Sequence, residues 1–287
     1  MTLREAIIKA RAEKRAIGHF NFSNLEGFKA IIAAAKATSQ PVILGLSEGE
    51  RDFVGPATAR AWVDAAKKEL GLELFLNSDH VHSLESAKVA LAAGFDSITF
   101  DLVDKPLEQN IAETKAVVEL VKASYPQVVV EGELGFIGHS SEILAEVPTG
   151  AATSGAGRTS VTDATTFVTG TGVELLAPAV GNIHGIVASG EPKLDIELIS
   201  AISTATGLPL VLHGASGNST EDLRATIVAG VTIVHLNTEV RRAWREGLAK
   251  TLSDLPNEVA PYKLSAGAVE AMTALITDKI KLFSGLS

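Results

Sequence analysis

The sequence predicts an α/β fold, a (β/α)8 barrel of the TIM type with eight parallel strands inside a ring of helices. Three observations lead there: short apolar runs alternate with helical periods from end to end, the runs number eight, and each is nearly continuous in apolar residues, as strands covered on both faces are. In order they are AIGHFNF (16–22), PVILGLS (41–47), LELFLNSDH (72–80), DSITFDL (96–102), QVVVEGEL (127–134), LLAPAV (175–180), LPLVLHG (208–214) and GVTIVHLN (230–237). An open doubly wound sheet is the competing architecture. It usually has fewer strands and often a glycine-rich phosphate turn after the first, and FNFSNLEG (20–27) does not fit GxGxxG.

The connecting segments carry apolar residues at i, i+3, i+4 spacing, as in LEGFKAIIAAAKATS, SLESAKVALAAG and PLEQNIAETKAVVELVKAS. Several end at a glycine, the usual helix C-terminus: Gly71, Gly94, Gly207 and Gly230. No composition break marks a boundary, so residues 1–287 read as one domain. Gly135 to about Ser160 is rich in Gly, Ser, Thr and Ala and too long for an ordinary connection. Following the fifth strand, it reads as a mobile lid over the catalytic face. From about Leu264 to Phe283 the pattern predicts one more amphipathic helix, capping the barrel or packing on a partner subunit.

Composition narrows the function. Charged residues are 21% and apolar residues 46%, a well-cored globular chain. A net charge of −9 without a basic run excludes the electrostatic footprint of a nucleic-acid binder. The amphipathic N-terminus MTLREAIIKARAEKRAIG has no apolar signal core and no stretch reaches membrane-span length, so a cytoplasmic location is expected by default. With no cysteine, metal chemistry must run through histidine and carboxylate.

Of the seven histidines, three end predicted strands: His80 in LFLNSDH, His184 in VGNIHG and His213 in LVLHGASG. Side chains at the C-terminal ends of barrel strands point into one site. Three neutral imidazoles meeting there bind a divalent metal and leave a coordination position open, the mark of a catalytic zinc. The His80-x-His82 pair also occurs in metal-dependent amidohydrolase barrels, but that reading wants the pair on the first strand and a strand lysine or carboxylate bridging two metals. No strand carries a lysine, which also argues against Schiff-base chemistry.

Together FNFSNLE (20–26), PVILGLSEG (41–49), SDH (78–80), EGELG (131–135), IHG (183–185), LHGAS (212–216) and HLNTE (235–239) resemble the class II, zinc-dependent ketose-bisphosphate aldolases, over almost the whole chain and in order. The resemblance implies zinc ligands at His80, His184 and His213 and a proton donor at Asp79. The family's zinc, chelated by ketose oxygens, stabilises an enediolate as a Lewis acid, and Asp79 takes up the hydroxyl proton as the carbon–carbon bond breaks. It further implies a dihydroxyacetone phosphate seat at Gly185, Gly214, Ala215, Ser216, His235, Leu236, Asn237 and Thr238. A monovalent cation (Na+ or K+) is implied at carbonyls of the Gly185 and Ser216 loops. Ser47 matches a substrate-contacting serine and would also serve as a helix N-cap. Glu133 and Asp101 match carboxylates at a second metal position, or hold histidine tautomers from behind. A homodimer or homotetramer is implied.

Four departures bear on the substrate. The family usually has asparagine where this chain has His235, and often aspartate where it has Asn237. Its lid usually places acidic residues at what are here Ser140 and Ser141, so Glu142 is the candidate for exchanging the ketose proton. An arginine contributing to the distal phosphate site in some members is replaced by Tyr262, which leaves Arg241 to bind the far phosphate with a bidentate fork. The expected reaction is reversible cleavage of a ketose bisphosphate, with fructose 1,6-bisphosphate first and tagatose 1,6-bisphosphate or another phosphorylated ketose as alternatives. A non-catalytic relative that binds metal and phosphate is the reading from a different class.

Overall fold

In the computed structural model, residues 1–138, 142–147, 151, 157–187 and 193–286 are described. All eight expected strands form and close into a parallel barrel. They are β1 (Ile17–Asn21), β2 (Val42–Leu46), β3 (Leu74–Val81), β4 (Ser97–Phe100), β5 (Val129–Leu134), β7 (Leu175–Pro178), β9 (Leu210–Leu212) and β10 (Val231–Leu236). Their order around the ring is β1-β10-β9-β7-β5-β4-β3-β2. Two strands were not expected: β6 (Ile143–Leu144) and β8 (Ile186–Val187) pair in parallel outside the barrel, tying the segment after β5 to the loop after β7.

Helices fill the connections and bury their apolar stripes against the even-numbered strand residues. In chain order they are α1 (Leu3–Ala12), α2 (Leu25–Thr38), α3 (Glu48–Val54), α4 (Pro56–Leu70), α5 (Leu84–Ala92), α6 (Leu107–Ser124), α7 (Val161–Thr171), α8 (Ile196–Thr206), α9 (Thr220–Ala229), α10 (Thr238–Asp254), α11 (Pro261–Leu264) and α12 (Ala266–Ser284). Side-chain caps start many of them, as at Asn24 for α2 and Ser83 for α5. Gly71 and Gly207 end α4 and α8 in the left-handed region, at φ 65° and 69°. The expected C-terminal helix is α12, which packs on α10 and α2 within this chain. No helix among the described residues is long and apolar enough to cross a membrane.

Strand alternation sorts the barrel interior into layers. Ile17, Ile43, Phe75, Val129, Leu175, Val211 and Ile233 form an apolar floor, sealed from below by Leu3, Ala6, Ile7 and Ala10 of α1. Two residues further along, the interior turns polar at His19, Asn77, Glu131, His213 and His235, joined by Thr99 of β4, all of them buried. A closed floor under a polar layer means that the barrel is open to chemistry only at the C-terminal ends of its strands.

Candidate active site

At that end lies a cavity of about 240 Å³, lined by Asp79, His80, His184, His213 and His235 among others. A regular strand would send Asp79 and His80 to opposite faces. Instead β3 carries an irregularity: its register against β4 shifts between Ser78 and Val81, and His80 takes φ 47°. That left-handed residue turns the chain so that both side chains line the cavity. Below it, the buried Arg51 guanidinium donates to the carbonyls of Leu46 and Asp79, each at 2.8 Å, and holds the turn from behind.

His80, His184 and His213 each offer a ring nitrogen, and these atoms all lie within 4.8 Å of one another. Each imidazole is held by its other nitrogen. His80 Nδ1 is 2.8 Å from Asp101 Oδ2, His184 Nδ1 is 2.6 Å from the Gly138 carbonyl, and His213 Nε2 is 2.7 Å from Glu131 Oε1. Such outer partners fix the tautomer and aim the opposite lone pair at a metal. Nε2 of His80 and His184 and Nδ1 of His213 are the nitrogens left for that role, and His213 Nδ1 is buried without any hydrogen-bond partner. Glu133 Oε2 is likewise buried and unbonded, 3.3 Å from His80 Nδ1. A donor set with orphaned, inward-facing atoms fits a divalent cation.

The charges follow from burial and pairing. Burial disfavours an ionised Asp79, but His80 and His235 outweigh it and hold the carboxyl well below its usual range. Burial likewise opposes charge on His80, yet Asp79 and Glu133 raise it well above the ordinary histidine value. Burial, followed by the charges of Asp79 and Glu133, keeps Glu131 well above the carboxylate range, and burial with Asp101 pushes Glu133 up to about 7. Burial and the charge of His80 bring His184 down to about 4.

His235 is sandwiched between two other imidazoles. It stacks on His19 at 3.5 Å between centroids and 2° between planes, and on His213 at 4.0 Å and 28°. Burial and His19 lower it to about 3, so it is neutral, and its Nδ1 lies 3.4 Å from Asp79 Oδ1. His19 has room for its ring because β2 carries Gly45, where a Cβ would come within 2.2 Å of that ring.

The expected phosphate seat assembles from the loops after β7, β9 and β10. Gly185, Gly214, Ser216, Asn237 and Thr238 line the cavity. Gly214 has φ 57°, and a Cβ there would sit 2.1 Å from the Ile183 carbonyl, so only glycine lets this loop lie against the one that carries His184. Ala215 and Leu236 belong instead to the apolar core cluster, which leaves only their backbone to a ligand. Glu239 props the seat: it accepts from Gly217 N at 2.9 Å and pairs with Lys279 of α12 at 2.8 Å.

Other expected residues fall differently. Ser47 lines the cavity and is also the N-cap of α3. Arg241 lines it too, but its Nη2 is 2.7 Å from Glu50 Oε1. Glu142 is exposed and does not line the cavity; its carbonyl accepts from Ile186 N at 2.9 Å, and Ser140 and Ser141 lie outside the described residues. Tyr262, 77% exposed on α11, stands away from the cavity. Sequence reasoning missed Asn21, Glu50, Arg51 and Glu131. The alternation that carries Ile17 and Val129 into the floor also carries Asn21 and Glu131 inward, and polar residues at those inward positions were the available signal.

Comparison with known proteins agrees with this geometry. The profile of the family described as fructose-bisphosphate aldolase class-II matches residues 1–285. A probable fructose-bisphosphate aldolase of Bacillus subtilis is 35% identical over 99% of this chain and 97% of its own. A 6-phospho-5-dehydro-2-deoxy-D-gluconate aldolase of Shouchella clausii is 36% identical over 96% of this chain and 91% of its own. Among solved structures, the YdjI aldolase of Escherichia coli K12 superposes with a TM-score of 0.83 at 27% identity, covering 98% of this chain and 96% of that one. With the barrel, the histidine cluster and the glycine loops in place over its whole length, the chain belongs to the class-II fructose-bisphosphate aldolase family, metal-dependent carbon–carbon lyases acting on phosphorylated sugars.

Proposed function

We propose that this aldolase reversibly cleaves a ketose carrying a phosphate at C1 into dihydroxyacetone phosphate and an aldehyde, using a zinc ion held by His80, His184 and His213. The observation that carries the reading is the set of three imidazoles, each fixed from behind with a free nitrogen facing the cavity, beside a carboxylate kept ionised. When bound, the ion supplies Lewis-acid polarisation of the ketose carbonyl. Gly185, Gly214, Ser216, Asn237 and Thr238 hold the C1 phosphate with main-chain N–H groups and neutral side-chain donors. A monovalent cation at carbonyls of the Gly185 and Ser216 loops would add charge there.

Asp79 then acts on the C4 hydroxyl. As the C3–C4 bond breaks, its electron pair goes to C3 and the hydroxyl proton to Asp79; in condensation the same carboxyl returns it. A second group must deliver a proton to C3, and Glu142 is the candidate once the segment after β5 closes. Glu133 and Asp101 serve as orienting partners or as a second metal position. His235, neutral and beside Asp79, takes the place from which the substrate carbonyl is polarised. Fructose 1,6-bisphosphate is the ketose that the relatives' names suggest, with tagatose 1,6-bisphosphate as its stereoisomer. A cytoplasmic homodimer or homotetramer completes the proposal.

The test is release of dihydroxyacetone phosphate from a panel of ketose mono- and bisphosphates by zinc-loaded protein. Cleavage abolished by EDTA and restored by metal supports the reading. If metal-replete protein cleaves none and exchanges no proton of dihydroxyacetone phosphate with solvent, the chain is instead a non-catalytic binder of metal and phosphate.

A further inference from the structure

We propose that the ketose cleaved by this chain carries an uncharged, hydroxyl-bearing tail at the end remote from C1, not a second phosphate. The inference rests on the aldolase reading above and specifies its substrate class. Around the ring, β7 and β9 lie across the mouth from β2 and β3. With its C1 phosphate on the loops after β7, β9 and β10 and its C4 hydroxyl at Asp79, a ketose extends its remaining carbons towards the wall built by Asn21 of β1, the turn from β2 into α3, and Arg241 one turn into α10.

That wall is already organised around a carboxylate. Glu50, 6% exposed, lies in the first turn of α3. Its Oε2 accepts from Ser47 N at 2.9 Å, Ser47 Oγ at 3.0 Å and Asn21 Nδ2 at 2.8 Å, while its Oε1 accepts from Arg241 Nη2 at 2.7 Å. The same Asn21 amide reaches Asp79 Oδ2 at 2.9 Å. The donors that a distal phosphate would need are therefore engaged by a resident anion. Displacing them would set the phosphate against Glu50 and leave a buried carboxylate unpaired.

The balance of charge points the same way. Glu48 and Asp79 line this part of the cavity with Glu50 behind them, and among its described lining residues Arg241 is the one lysine or arginine. Residues 139–141, 148–150, 152–156, 188–192 and 287 include no lysine or arginine either. The C1 seat differs in kind: its lining groups are glycines, hydroxyls and an amide, and the acid beneath it, Glu239, is neutralised by Lys279. A hydroxyl tail suits the remote wall because an O–H can donate to the Glu48 carboxylate and accept one N–H of Arg241 without displacing the network around Glu50.

The experiment runs the zinc-loaded enzyme in the condensation direction, joining dihydroxyacetone phosphate to D- or L-glyceraldehyde and to erythrose, and in parallel to glyceraldehyde 3-phosphate and erythrose 4-phosphate. Proton exchange of dihydroxyacetone phosphate alone, followed by NMR in deuterated water, reports the C1 seat and metal independently of the tail. The proposal expects exchange, and kcat/KM at least tenfold higher for a neutral aldehyde than for its phosphorylated counterpart. Glu50→Gln should move that ratio at least tenfold towards the phosphorylated aldehydes. Exchange together with preference for phosphorylated aldehydes, or with no condensation onto any neutral one, overturns the proposal while sparing the aldolase reading. An unchanged ratio in Glu50→Gln overturns it as well. Loss of exchange itself overturns the aldolase reading and this proposal with it.

Discussion

Asp79 and His80 show how much of this site depends on one backbone turn. Adjacent residues on an even strand cannot share a cavity, and the left-handed φ of His80 removes that obstacle. The histidines were legible because His80 and His213 sit at strand ends, whereas His184, expected at the end of a strand, lies on the loop six residues after β7; their supports were not legible, since an inward glutamate in a run such as VVVEGEL looks like any other acidic residue. Glu131 is the clearest case. With its carboxylate accepting the Nε2 proton of His213, Nδ1 is left to ligate, so Glu131→Gln should weaken zinc affinity about 10- to 100-fold without unfolding the chain. Competition with a chelating dye measures this. Protonation predicts the sign of the pH dependence. His80 titrates well above its ordinary value in the metal-free chain, so it holds a proton that ligation expels. Zinc affinity should rise with pH, by about one decade per unit for the proton displaced, until the pH passes the raised value. Affinity that is flat or falls with rising pH would contradict the assignment.

Among the elements, α12 is the one whose role the sequence left open between cap and subunit contact. It packs on α10 and α2, and from there Lys279 reaches Glu239 beneath the proposed phosphate seat. This pairing spans distant parts of the chain and leaves no local pattern, so sequence periodicity could locate the helix but not the contact. Lys279→Met leaves the largely buried Glu239 without its partner and should cost about 3 kcal/mol in denaturant unfolding. By loosening the Gly217 loop it should also raise KM for the phosphorylated ketose. Ile276, fully buried in the same helix, gives a control: Ile276→Ala should destabilise by about 2–5 kcal/mol without moving the seat's charge. The β6–β8 pair was invisible for another reason, because two-residue strands have no period to detect.

At the scale of the whole molecule, the barrel and the site are separable. The apolar floor and the helix-facing core do not include the three histidines, whose ring nitrogens meet at the rim. Chelation should therefore leave the far-ultraviolet circular dichroism unchanged while lowering Tm. Restoring zinc at about 100 times its Kd should return about 2.7 kcal/mol of stability. The eight strands were legible because near-continuous apolar runs and helical periods are strong signals. The substrate wall was not, because Glu50 and Arg241 meet only once the barrel closes β10 onto β1. In the proposed division of roles, the histidine cluster and the phosphate seat activate the ketose fragment while Asp79 alone handles the hydroxyl proton. That division is tested most directly by Asp79→Asn loaded with zinc to the wild-type level, assayed for proton exchange of dihydroxyacetone phosphate and for ketose cleavage. Exchange should persist while cleavage falls by about 10²- to 10⁴-fold; cleavage close to the wild-type rate, or exchange lost in step with it, would rule out this division of roles.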